Sequence, residues 1–147
     1  MYNDWPTNAA VVFATMTAVC LSVLLHYEAL VLTSHGLARL GGRRRIKVLY
    51  AIASVLVVHV LEIWIFGLAL WLLLHWPAFG NLGPGDQRLF DCIYFSAVTY
   101  TTVGYGDLAP VGPIRFLAGT EALTGFVLLT WSASFTYFEM QRFWRDS

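Results

Sequence analysis

Charge is scarce in this chain: Asp, Glu, Lys and Arg make up 12% of its 147 residues, while hydrophobic residues make up 58%. A small soluble domain could not stay in solution with that balance, so the class that remains is a membrane protein. The formal charge is zero, and nothing in the composition suggests nucleic acid as a partner. Cysteine is limited to Cys20, inside an apolar run, and Cys92, near the start of a later short helix. That arrangement is a poor disulfide framework, and both read as free, small core residues. The stretch from Met1 to Pro6 holds an acid and no base, and no small-residue cleavage pattern follows, so a removable leader is not expected. Internal repeats, low-complexity tracts and a soluble domain are lacking too, and the chain reads as a single membrane unit.

What is present is a set of long apolar runs. A hydrocarbon core about 30 Å thick needs about 20 helical residues to cross it. Residues 9–34, 46–74 and 114–138 meet that length, with the last helix carried to about residue 140. The second run is longer than required, so it should tilt or project. Of the nine basic residues, Arg39, Arg43, Arg44 and Arg45 fall between the first two runs and Lys47 opens the second, which places that stretch in the cytoplasm. The amino terminus is then outside, and the tail with Arg142 and Arg145 inside. A second reading of Arg43 to Arg45, contact with anionic lipid, stays open.

Between the second and third spans, Pro77, Gly80, Gly83, Pro84 and Gly85 break any helix and make a loop. A short apolar run follows at residues 88–100, with Asp91 in its first turn, where the helix dipole favours an acid. It is too short to span. A half-helix followed by a glycine-bearing strand is tolerated at membrane depth only where protein or water surrounds it, which points to a pore.

The strand is Thr102-Val103-Gly104-Tyr105-Gly106-Asp107. A selective pore must replace the hydration shell of an ion with oxygens. Backbone carbonyls can do so if successive residues turn them to one side, which ordinary strand geometry forbids. Glycine at every second position permits positive φ there, so the carbonyls of Thr102, Val103, Gly104 and Tyr105 can line one axis, with the Thr102 hydroxyl at the inner end. Val103 and Tyr105 are expected to point away from the ion and brace the half-helix. One strand supplies one wall and about four are needed, so the expectation is a homotetramer with the pore on its axis. The carboxyl end of the half-helix, near Tyr100, aims its negative dipole at the central cavity.

These residues resemble the potassium channel superfamily, specifically its two-helix pore module. The resemblance covers about residues 46–140 and centres on the run from Phe90 to Pro110, which contains the filter string. It implies an all-α membrane protein of three transmembrane helices plus a re-entrant pore helix and filter loop, conducting K+ passively. The implied organisation is an N-terminal helix and basic loop at 1–45 and a pore domain at 46–147, with outer helix 46–74, pore helix 88–100, filter 102–107 and inner helix 114–140. Filter support falls to Thr99, Thr101, Gly106, Asp107 and Glu121, the last behind the pore helix. Gly125 resembles the gating hinge of the family, with packing of the helix as the equal alternative. Counting helical turns beyond it sets Leu129, Ala133 and Tyr137 toward the axis.

The chain departs from the family pattern at two places. Val98 stands where many bacterial members hold a glutamate that pairs with the aspartate matching Asp107, and Phe95 stands where a tryptophan often anchors the filter tyrosine. Tyr105 must therefore find Thr99 or another partner, and altered slow inactivation is expected. Arginine repeats for voltage sensing are absent.

Four ionisable residues lie inside the first two spans: His26 and Glu28, then His59 and Glu62. Such groups in hydrocarbon are costly and usually face a partner. The antiparallel hairpin brings the pairs to similar depth. They read either as an interhelical hydrogen-bonded pair or as a proton or metal sensor. The first helix should pack on the outer helix at the periphery. The whole reads as a potassium-selective channel subunit of the cell membrane, bacterial inner membrane by resemblance. No enzyme activity is expected, and no cofactor besides K+ as permeant ion. A less selective cation channel, a silent subunit, and a haem- or metal-binding electron carrier using His26 and His59 are the alternatives.

Overall fold

The computed structural model describes residues 4–40, 44–83 and 88–145. Gly41, Arg43, Pro84 and Gly85, on which part of the loop and charge readings rest, lie outside the described residues, as do residues 1–3 and the side chains of Arg44 and Arg145. The elements are α1 (Trp5–Arg39), α2 (Arg44–Leu73), a 3-10 turn (Pro77–Phe79), α3 (Leu89–Tyr100) and α4 (Arg115–Arg145). Three of these helices are long and apolar enough to cross a membrane. The chain is an all-α membrane protein; the described residues contain no extended sheet, only the isolated bridge Asn81 to Val111.

The helix ends follow local chemistry. Proline in the first turn of α1 gives up no hydrogen bond there. The helix then runs 35 residues, about 52 Å at 1.5 Å per residue, longer than the 9–34 span because nothing breaks it before Leu40. Arg39 in its last turn complements the dipole. At the far end of α2, Pro77 forces Trp76 out of helical geometry to φ −114°, ψ 119°. In α3 the Asp91 carboxylate accepts the Arg88 backbone N–H at 3.0 Å and closes the first turn. With 12 residues, α3 is about 18 Å long and covers roughly half of a bilayer core.

The core lies where α2, α3 and α4 meet. Phe66 and Leu70 from α2, Cys92, Phe95 and Tyr100 from α3, and Leu117 and Leu128 from α4 are buried together. Helix α1 adds Val11 and Ala18 to this cluster. Its buried stripe, Val11, Thr15, Ala18, Ser22, His26, Leu30, Thr33 and Leu37, follows steps of three and four and is rich in small residues that allow close approach. It seats α1 against α2, as its sequence suggested, and against α4 as well. Faces pointing outward carry Phe13, Leu24, Leu49, Leu56 and Phe126, an exterior suited to lipid or a neighbouring chain. The loops on either side of residues 102–107 are pinned together by Val111 N–H to Asn81 O at 2.8 Å and Ile114 N–H to Phe79 O at 3.1 Å.

Cys20 and Cys92 are both free. Cys92 is buried, but Cys20 is exposed on α1, so only one of the two is a core residue. The apolar run around Cys20 faces outward there because lipid, and not packing, can satisfy it.

Candidate functional site

The chain leaves α3 at Tyr100 and turns directly into the filter string. Thr101 N–H still bonds Ala97 O at 3.2 Å, Thr102 N–H bonds Thr99 O at 3.0 Å, and Gly104 N–H reaches back to Val98 O at 3.0 Å. These bonds tie the strand to the helix that precedes it. The Thr101 hydroxyl also closes on Ala97 O at 2.7 Å.

Along the strand φ is positive at Thr102 (61°), Gly104 (56°) and Gly106 (80°), every second residue. Alternation of the sign of φ reverses the usual flip-flop of peptide planes and is the backbone pattern that turns successive carbonyls one way. Gly104 and Gly106 take these values at little cost. Thr102 does not: a β-branched residue at positive φ stores roughly 1 to 3 kcal/mol of strain. Thr102 is the one non-glycine with positive φ among the described residues, and nothing in its sequence context announces it.

Residues 101–107 are all exposed in the single chain. Val103 is 55% and Tyr105 72% exposed, so the bracing expected from these side chains is not made by the chain's own pore helix. Tyr105 makes no hydrogen bond to Thr99 within the chain, and its side chain is exposed. Asp107, deprived of a carboxyl partner by Val98, accepts instead from the Tyr94 hydroxyl at 2.9 Å. That bond holds the Tyr94 pKa above its ordinary value, with desolvation and the Asp107 charge adding to it.

Behind the pore helix, Glu121 is fully buried on α4 and hydrogen-bonds the Ser96 hydroxyl of α3. The same hydroxyl donates to Ile63 O of α2 at 2.8 Å. Ser96 has one proton to give. Both contacts are met at once when Glu121 is the neutral acid and donates to Ser96. Gly125, one turn further along α4, lies against the Tyr100 carbonyl. Leu129 is half-buried while Ala133 and Tyr137 are exposed, and the three line a groove between α2 and α4 together with Val55, Leu56 and His59.

The intramembrane residues divide. Glu62 is fully buried, with Oε1 accepting from His26 Nδ1 at 2.8 Å and Oε2 from His59 Nδ1 at 2.8 Å. The Tyr100 hydroxyl donates to Oε2 as well. Ser132 Oγ of α4 lies 3.4 Å from His26 Nε2. Glu28 has no place in this cluster. It is exposed, because two residues along a helix rotate the side chain by about 200° and carry it to the opposite face from His26. Tyr100, Ser132 and Tyr94 were not foreseen as partners. Only the rotation of each helix about its own axis reveals them.

The comparisons with known proteins follow this geometry. The family model described as an ion channel matches residues 46–141, well over half of the chain. Protein LctB of Geobacillus stearothermophilus is 41% identical over 56 residues, 38% of this chain and 42% of that protein. An inward rectifier potassium channel, Kirbac3.1 of Paramagnetospirillum magnetotacticum, is 40% identical over 63 residues, 42% of this chain and 21% of that one. A voltage-gated potassium channel of Aeropyrum pernix is 44% identical over 45 residues, 30% and 15% respectively. The chain spans less than half the length of these curated relatives. No solved structure matches it. The chain belongs to the ion channel family, and its residues 46–141 are a pore module of the potassium channel superfamily.

Proposed function

We propose that four copies of this chain enclose a potassium-selective pore, with the carbonyls of Thr102, Val103, Gly104 and Tyr105 and the Thr102 hydroxyl replacing the hydration shell of K+. The observation that carries this reading is the alternation of positive φ at Thr102, Gly104 and Gly106. Strain of that kind is retained where function requires a particular backbone, and here it occurs on the segment with the filter string. The exposed Val103 and Tyr105 side chains argue for neighbouring copies, since an apolar strand left uncovered is otherwise unfavourable. Two relatives carry potassium channel names, which supports the ion assigned.

In this reading the Arg45 and Lys47 end of α2 is cytoplasmic, the filter opens outward, and K+ moves passively down its gradient in a bacterial inner membrane. Leu129, Ala133 and Tyr137 border the inner passage, and Gly125 sets how α4 meets the filter base. Mass measurement of the intact complex in detergent, paired with a potassium-driven flux assay in liposomes, tests the proposal. A fourfold mass and flux that fails when Gly104 is replaced by alanine are expected. A dimer, or flux indifferent to that substitution, would overturn it.

A further inference from the structure

The polar cluster beside Tyr100, at the end of α3, has the donor set of a metal site. His26, His59 and Glu62 are all buried, and one donor atom from each lies within 4.8 Å of the others. They come from two helices, with Nδ1 of both imidazoles aimed at the one carboxylate. Tyr100 adds a fourth donor, its hydroxyl 3.1 Å from His59 Nδ1. Two imidazoles, a carboxylate and one more oxygen make a four-coordinate set for a borderline-soft divalent ion. Metal bonds of about 2.1 Å in a tetrahedron put ligand atoms roughly 3.4 Å apart, so donor atoms that lie within 4.8 Å of one another draw together on binding.

The outer contacts suit the same occupant. A ring that ligates through Nδ1 carries its proton on Nε2. His26 Nε2–H then has Ser132 Oγ as acceptor at 3.4 Å, the outer contact that fixes a ligating histidine. His59 Nε2 is buried without a partner in the hydrogen-bonded arrangement, and its ring borders the groove between α2 and α4, which gives an ion a way in. The Trp131 ring, 5.2 Å from His26, closes the α4 side.

We propose that His26, His59 and Glu62, completed by Tyr100, bind one divalent transition metal ion of the zinc class per chain, fastening α1 to the end of the pore helix. Nitrogen donors argue against magnesium and calcium, which prefer oxygen shells. The site goes beyond the channel reading.

The test uses purified full-length protein carrying Cys20→Ser, freed of metal and titrated with Co2+ and then Zn2+. One Co2+ per chain with the visible absorption of a four-coordinate ion, displaced by Zn2+, is the expected result. Binding should persist in His35→Gln and His75→Gln and vanish in the double variant His26→Gln/His59→Gln. Should that variant fail to assemble, Glu62→Gln and the Zn2+-induced rise in melting temperature of the Cys20→Ser protein decide. Absence of stoichiometric Co2+ in the Cys20→Ser protein, or its retention in an assembled double variant or in Glu62→Gln, would overturn the proposal. Potassium flux measured on the same preparation reports the channel reading separately.

Discussion

Gly125 of α4 rests directly on the backbone carbonyl of Tyr100, the last residue of the pore helix, and a Cβ at that position would overlap the Tyr100 oxygen. Helix α4 therefore approaches the end of α3 through glycine because no other residue leaves room. A mid-helix glycine suggested a hinge or a packing point with equal force. The contact with Tyr100 supplies a specific reason for packing and leaves bending to be measured.

Replacing Gly125 with alanine should cost roughly 1 to 3 kcal/mol through overpacking. Gly119, whose added Cβ would meet nothing within 4 Å, is the control on the same helix. The melting temperature of the assembled protein in detergent should fall for Gly125→Ala and hold for Gly119→Ala. Equal melting of the two would contradict the close contact.

The hydrogen-bond accounting at Ser96 makes Glu121 a neutral donor. Glutamine keeps that role, so Glu121→Gln should retain both assembly and flux. Glu121→Ala leaves the buried Ser96 without its donor and opens a void, at a cost of roughly 1 to 3 kcal/mol. Thermal melting and liposome flux of the two variants read the difference. If Glu121→Gln lost stability as severely as Glu121→Ala, the ionised form would have to be the one present.

Asp107 is held by the Tyr94 hydroxyl of α3, 2.9 Å away, in place of a carboxyl at position 98. The neutral phenol makes this bond, and Asp107 raises its pKa above the ordinary value of about 10. The contribution is complete below that ordinary value and is lost as pH climbs through the raised one. Tyrosinate absorbance should therefore lose a late-titrating component in Tyr94→Phe. Tyr94→Phe should also speed the decay of sustained current, and Val98→Glu, which offers Asp107 a second partner, should change that decay. Currents unaltered in both variants would detach Asp107 from filter stability.

How much of this was legible beforehand depends on which physical variable each feature uses. Hydropathy and length reveal α1, α2 and α4, because a bilayer fixes both. Length alone also marks α3 as a half-span. Alternating glycine reveals Gly104 and Gly106, but not Thr102, whose positive φ is imposed on a residue that resists it. Rotation about a helix axis is the variable that hydropathy leaves open in a membrane, since lipid accepts apolar side chains on any face. Depth alone therefore grouped Glu28 with His26, although helical rotation carries one to the surface and the other into contact with Glu62. The Ser96 to Glu121 and Tyr100 to Glu62 pairs join residues 25 and 38 positions apart and depend on how three helices meet.

The central claim is that backbone oxygens from residues 102 to 105 select K+. Reversal potentials of the purified protein in a planar bilayer, with K+ on one side and Na+ on the other, test it most directly. The account predicts a potential displaced strongly toward the potassium equilibrium value, and loss of that displacement when Gly104 or Gly106 is replaced by alanine. A reversal near zero in the unaltered protein would contradict it.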